Sequence, residues 1–276
     1  MSDQATSPQP PELKTMRFEA EGPVGTLTLS RPDAMNAMSP DMIAELALIA
    51  PWLADRAPIR ALIVTGEGRA FSAGGDINWF RRGLDEAGAD LVQEVRRGAD
   101  VLHQAIVDFK RIPCPVIAAI NGPAAGAGFS LALMCDIRIA SEEAFLVCAY
   151  GRIGASPDGG MTYFLPRVIG PAAAAELMLE DPNLTAADAL ARGLVSAVVP
   201  AAELLDAAGA KAAELAARSP HYQRMVKRLV WQSLDNPLAD HLQLERHGIA
   251  ESMGTEDLRG GVRDFLAGER PTFSGR

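Results

Sequence analysis

Apolar and polar positions alternate from Val24 to Leu29, and the alternation stops at Ser30-Arg31-Pro32. That is the period of a half-buried strand ended by a turn. Ser39-Pro40 stands where an N-cap and a first helical residue belong, ahead of helical periodicity from Met42 to Ala54. Ile59 to Thr65 and Val116 to Ile120 are short continuous apolar runs, which read as buried strands. Between them lie a glycine-bearing loop, Phe71 to Ile77, and a long helical stretch from Leu91 to Lys110 that ends before Pro113 and Pro115. Asn121 to Gly128 leads into an apolar helix, Phe129 to Met134. Ile137 to Ala140 and Phe145 to Val147 read as short strands, and Asp158-Gly159-Gly160 opens a further helix. Alternating strand and helix predict an α/β fold. After about Pro200 the pattern changes to amphipathic helices over Ala201 to Ala217, His221 to Leu234, Leu238 to Met253 and Glu256 to Leu266. Their apolar stripes must pack on a parent domain or a neighbouring subunit. The expected division is a disordered tail over residues 1–13, a core over 14–199 and a helical region over 200–276.

Composition narrows the function without naming it. The chain has 276 residues, with 48% hydrophobic, 22% charged and only 5% aromatic residues, so its core must rest on Ala, Leu, Val and Ile. A formal net charge of −9 repels phosphate backbones at long range and argues against nucleic acid as a partner. The N-terminus lacks a signal-peptide pattern and no apolar run reaches the ~20 residues of a membrane span, so a cytoplasmic location is expected. Cys114, Cys135 and Cys148 are odd in number and sit in apolar runs, which reads as buried free thiols. No His/Cys grouping has zinc-ligand spacing, and no metal is expected.

The candidate chemistry lies in two glycine-rich loops, each following a buried strand: Ala73-Gly74-Gly75-Asp76 and Gly126-Ala127-Gly128. Small residues leave backbone N–H groups open to a close ligand, and a helix N-terminus adds its dipole. Two such donors converging would form an oxyanion hole; tight turns are the plainer reading of either loop alone. Neither loop matches the GxxxxGK[ST] or GxGxxG phosphate patterns.

Phe71-Ser72-Ala73-Gly74-Gly75-Asp76-Ile77, together with Ala118 to Gly128, resembles the enoyl-CoA hydratase/isomerase (crotonase) superfamily. Arg31-Pro32 with Asn36-Ala37, Cys135-Asp136-Ile137, Pro157-Asp158-Gly159-Gly160 and Leu165-Pro166-Arg167 follow in family order, and the similarity runs from about Met16 to Phe273. The resemblance implies a crotonase-like β-β-α spiral core, a helical C-terminal region that serves oligomerisation, and a homotrimer or hexamer. It implies an acyl-CoA thioester as substrate, with coenzyme A entering only as part of that substrate and no separate cofactor. The oxyanion donors would be the N–H groups of Gly75 and Ala127. Coenzyme A would run past Met35, Ala37, Ala73, Asp76 and Ile77, with Phe265 near the nucleotide end; Lys227 is a candidate for a phosphate contact or else sits on a solvated helix face.

Departures from the family pattern bear on the reaction. Hydratases of the family carry glutamates three and 23 residues after the second donor, and here those positions hold Ser130 and Tyr150. Hydration needs a base for water and an acid for carbon, and Ser and Tyr (pKa roughly 10) serve poorly. Asp158 remains, at a position where isomerase-type relatives move a proton along the acyl chain. Desolvation in an apolar pocket would raise its pKa and suit that role; a helix N-cap is the alternative. The expected activity is therefore enoyl-CoA isomerisation. His103 and Asp158 also match the spacing of 4-chlorobenzoyl-CoA dehalogenases of the superfamily, and Leu146 to Tyr150 resembles their segment, with Tyr in place of Trp. No aromatic cluster for a benzoyl ring is evident near Leu102-His103, and a histidine there also suits simple packing. A third reading is a scaffold that binds acyl-CoA without turnover. Asp136 reads as a strand buttress, and His221, His241 and His247 have no evident partner.

Overall fold

The computed structural model describes residues 9–86 and 90–276. Most of the expected N-terminal tail lies outside the described residues. Its last residue, Leu13, packs against the main apolar cluster, and at the start of the expected core the Glu45 carboxylate accepts from the N–H groups of Lys14 and Thr15 at 2.8 and 2.9 Å.

Strands β1 (Met16–Glu21) and β2 (Val24–Leu29) form an antiparallel hairpin. Strands β3 (Ala61–Gly66), β4 (Val116–Ile120), β6 (Ile137–Ser141) and β9 (Ala197–Val199) extend it in parallel, in the order β1-β2-β3-β4-β6-β9. A second small sheet joins β5 (Ala124–Ala125), β7 (Phe145–Val147) and β8 (Leu184–Thr185), in the order β5-β7-β8. This is the β-β-α spiral that the resemblance implies.

The central strands read as unbroken apolar runs because both faces of the large sheet are covered. On one face lie α1 (Pro40–Asp55) and α3 (Leu91–Arg111), whose Leu46, Ile49, Leu53, Leu102 and Phe109 join Leu62, Val64 and Ala118. On the other lies α8 (Leu204–Ala216), whose Ala208 and Ala212 meet Ile63, Ile117 and Ile139. The Ser39 hydroxyl accepts from the Met42 N–H at 3.2 Å, so α1 starts where its cap signal stands. Helices α2 (Ile77–Glu86) and α4 (Ala127–Met134) begin beside the two glycine loops. Helices α5 (Met161–Ile169), α6 (Pro171–Glu180) and α7 (Ala186–Ala191) complete the core. Helices α9 (Pro220–Gln232), α10 (Leu238–Ser252) and α11 (Glu256–Leu266) form the C-terminal helical region with α8.

Asp136 buttresses β4 as expected, accepting from the Val116 N–H at 2.9 Å. It also anchors two lysines, with Lys227 at 2.7 Å and Lys110 at 3.6 Å. Lys227 thus serves neither a coenzyme phosphate nor a solvated face: its ammonium is buried and also donates to the Cys114 carbonyl. Lys110 lies 3.9 Å from the centroid of the Trp231 ring and donates to the Met134 carbonyl. The C-terminal histidines do have partners: His221 meets Ser252 and Arg224, His241 lies 3.6 Å from Glu245, and His247 contacts the Gln243 carbonyl.

All three cysteines are buried and unpaired. Burial pushes the Cys114 thiol up to about 11 and those of Cys135 and Cys148 up to about 12. The thiolate is the reactive form. Folded protein at pH 8 is therefore expected to react with no equivalent of an aromatic disulfide reagent on the timescale of free cysteine, and guanidinium should release three. A fast equivalent from folded protein would contradict this burial.

Candidate active site

The two glycine loops are laced together by backbone hydrogen bonds. Ser72 N–H donates to the Pro123 carbonyl at 3.1 Å, and Ala125 N–H donates to the Ser72 carbonyl at 2.9 Å. On its other side the first loop is held by residues 35–38: Ala73 N–H donates to Met35 O (2.9 Å), Met38 N–H to Gly74 O (2.7 Å) and Asp76 N–H to Met38 O (3.2 Å). The Ser72 hydroxyl donates to the Asn36 carbonyl and accepts from the Gly74 N–H. Fully buried Asn36 fixes the turn before it, accepting from Arg31 N–H and donating to the Glu67 and Ala70 carbonyls.

Gly74 allows this approach. Its φ is +87°, and a Cβ there would lie 2.6 Å from the Ala125 carbonyl oxygen and 3.3 Å from the Ala127 nitrogen. The second loop is therefore in contact with the residue preceding Gly75. Gly75 N–H and Ala127 N–H have no acceptor among the described residues. Ala127 is also the first residue of α4, so the positive end of that helix dipole adds to its donor strength. Two adjacent unspent amides, one at a helix N-terminus, can hold a developing oxyanion.

Beyond these amides, the hydroxyls of Ser130 and Tyr150 meet Asp158. Tyr150 O–H donates to Asp158 Oδ1 at 2.8 Å, and Ser130 O–H donates to the Asp158 carbonyl at 3.2 Å. Two glycines with positive φ, Gly159 and Gly160, separate Asp158 from α5, and Gly160 is the residue at the cap. Asp158 is thus not the N-cap; its carboxylate turns to Tyr150. Asp158 is exposed in the single chain, so the expected apolar burial of its carboxylate is not observed. The Tyr150 phenol is held well above its ordinary range, first by burial and then by the negative charge of Asp158. It stays protonated at neutral pH and can donate but not act as a base.

An unforeseen group anchors this corner. Ala149, at φ +65°, is a non-glycine residue in the left-handed region. Its N–H donates to Asp181 Oδ1 at 2.8 Å, and Arg152 pairs with the other oxygen of Asp181 at 3.4 Å. Asp181 thereby fixes the backbone immediately before Tyr150 from 32 residues downstream. No spacing rule could have flagged it.

The other expected site residues divide. Met35, Ala37, Ala73, Asp76 and Ile77 lie on the two laced segments beside Gly75. Asp76 is occupied, pairing with Arg31 at 3.0 Å and accepting from the N–H groups of Asn78 and Trp79 at the start of α2. Phe265 stands 76% exposed on α11. His103 is exposed on α3, and among the described residues no hydrogen bond or ion pair joins it to Tyr150 or Asp158. No cluster of potential metal ligands occurs among the described residues, and no helix is long and apolar enough to cross a membrane.

The sequence model of the family described as enoyl-CoA hydratase/isomerase matches residues 19–276. The chain belongs to the enoyl-CoA hydratase/isomerase family. Members of this family act on acyl-CoA thioesters. The chain is 38% identical over 262 residues to a protein of Rhodobacter capsulatus named probable enoyl-CoA hydratase, covering 95% of this chain and 98% of that one. It is also 38% identical over 255 residues to the 1,2-epoxyphenylacetyl-CoA isomerase of Escherichia coli, covering 92% and 95%. The crystal structure of an enoyl-CoA hydratase from Bacillus anthracis superposes with a TM-score of 0.87 at 31% identity, covering 95% of this chain and all of that one. The crotonase fold and an acyl-CoA-processing enzyme are thereby established, while relatives named for hydration and for isomerisation stand side by side.

Proposed function

We propose that this family member is an acyl-CoA isomerase that moves a double bond from the 3 to the 2 position, or carries out a related ring isomerisation. The observation that carries this reading is the carboxylate of Asp158, held by Tyr150 on a segment that packs against Ser130 and Ala127, where hydration would call for two acid/base groups and the other nearby carboxylate, Asp76, is paired with Arg31. Ser130 is buried and hydrogen-bonded, and the raised Tyr150 phenol is a donor, so neither replaces a glutamate. Isomerisation needs one base. The Asp158 carboxylate takes a proton from the α-carbon, and the electron pair moves into the thioester carbonyl. The resulting dienolate oxygen is held by the N–H groups of Gly75 and Ala127. Asp158 then returns the same proton to the γ-carbon, and no water is consumed. Tyr150 engages Oδ1, and Oδ2 has no partner among the described residues, which leaves it for the substrate proton. The isomerase named among the relatives agrees with this reading. Coenzyme A would run along Met35, Ala37, Ala73 and Ile77. We further propose that the enzyme works as a homotrimer or hexamer in the cytoplasm.

The test compares purified enzyme on 3-enoyl-CoA and on crotonyl-CoA. Conversion of the first with little hydration of the second is expected. Strong hydration of crotonyl-CoA with little isomerisation would overturn the proposal. Gly74→Ala checks the donor pair independently. The added methyl meets the Ala125 carbonyl at 2.6 Å and forces the loops apart. A displacement near 1 Å costs about 100-fold in kcat, measured at unchanged helical content by circular dichroism.

A further inference from the structure

One wall of the site takes no part in proton transfer. Helix α2 starts two residues after Gly75 and turns the ring of Phe80 back onto it: a Cβ on Gly75 would lie 3.1 Å from Phe80 Cε2. Trp79 meets Phe80 edge to face, with ring centroids 5.0 Å apart and planes at 69°. Both rings are half-buried, whereas Ile77, Asn78, Arg81 and Arg82 of the same helix are exposed. A third ring lies against the second loop: a Cβ on Gly126 would lie 3.9 Å from Tyr150 Cζ. In a chain with 5% aromatic residues, Phe80 and Tyr150 thus stand against the glycines of the two donor loops, with Trp79 packed on Phe80. The aromatic surroundings that were not evident beside His103 are supplied instead by α2.

We propose that Phe80, supported by Trp79, is the specificity wall for the acyl group, and that the enzyme selects aromatic or similarly flat cyclic acyl groups over straight chains. The inference rests on the reading of Gly75 and Ala127 as oxyanion donors. A carbonyl oxygen bound at Gly75 brings the first acyl carbons within a few Å of the Phe80 ring. A planar ring there gains an edge-to-face or offset-stacked contact beyond its area burial, a gain of about 3- to 10-fold in affinity. It also has fewer torsions to immobilise than a straight chain of similar length.

The experiment measures dissociation constants by calorimetry for phenylacetyl-CoA and hexanoyl-CoA, neither of which offers a double bond to move. Wild-type enzyme should bind phenylacetyl-CoA about 3- to 10-fold more tightly, and Phe80→Leu should bring the two within about twofold of each other. Trp79→Leu, which leaves Phe80 in place without its support, should reduce the ratio in part. Thermal melts establish that each variant is folded. Equal affinities in the wild type, or an unchanged ratio in folded Phe80→Leu, would overturn the proposal. The binding ratio is read without turnover, so failure of the isomerase assay leaves it standing. Absence of binding to both thioesters would overturn it together with the acyl-CoA reading of the site.

Discussion

Asp158→Asn is expected to lower kcat for double-bond migration by about 10²–10⁴-fold, the usual contribution of a positioned acid/base group, with little change in KM. Asparagine keeps the shape of the side chain and can still accept from Tyr150, so the 2.8 Å contact that orients the group survives. What disappears is the capacity to take a proton. Tyr150 cannot substitute, because burial and its acidic neighbour keep the phenol protonated. Ser130 cannot either, since it is 1% exposed and its hydroxyl is spent on backbone carbonyls. The same variant should lose the exchange of substrate α-protons with deuterated solvent, which reports proton abstraction apart from product release. Retention of more than a tenth of wild-type turnover would clear Asp158 of the role.

Asp136→Asn should produce the largest loss of stability. Two buried ammonium groups share this carboxylate, with Lys227 at 2.7 Å and Lys110 at 3.6 Å, and the three side chains are 10–19% exposed. Asparagine can still accept from the Val116 N–H, so the variant removes charge more than packing. Leaving buried charges without their partner costs about 3–5 kcal/mol, a fall in melting temperature of roughly 6–20 °C for a chain of this size. The sign of the pH response follows from Lys110. Burial, more than the opposing pull of Asp136, lowers its ammonium to about 8 from 10.5. Between those values the unfolded chain holds a proton that the folded chain has released, so stability rises with pH across that window. Removing Asp136 takes away an influence that favours the charged form. Asp136 can help Lys110 only while that ammonium is charged in the folded chain, so the deficit of the variant should be full well below pH 8 and shrink as the pH rises through about 8. A deficit that is constant or grows across that range would mean that the charge of Lys110 is not its source.

The fold was legible where burial was complete. Strands β3 and β4 stand out as apolar runs because α1 and α3 cover one sheet face and α8 the other, leaving few polar positions to break the pattern. Strand β1 escaped although its residues alternate, because at the sheet edge only Met16 of its six residues is buried. Strands β5 and β8 are two residues long and have no period to read. Helix α2 was hidden by its position inside the loop motif: no residue of it is buried, and its N-terminal turn is organised by Asp76. With it went Trp79 and Phe80.

The site was legible by halves. Gly75 and Ala127 sit in loops whose composition already signals close approach, and Ser72 brings those loops together. The environment of Asp158 was misjudged. Asp-Gly-Gly before a helix reads as a cap, yet the left-handed conformations of Gly159 and Gly160 swing the carboxylate away from α5. Asp181 was beyond reach because its contact with Ala149 depends on how the chain after α6 returns to pair β8 with β7, which no local pattern encodes.

The contact between Gly159 and Ser130 has a consequence for what this scaffold can become. A Cβ at Gly159 would already stand 3.2 Å from Ser130 Cβ, so the chain before α5 rests directly on the serine. A glutamate grafted at 130 would have to push that segment outward, and Asp158 rides on it. On the proposed chemistry, a second acid/base side chain at 130 and the present seat of Asp158 therefore compete for one volume, and introducing the former would require rebuilding residues 157–160 rather than exchanging a single side chain.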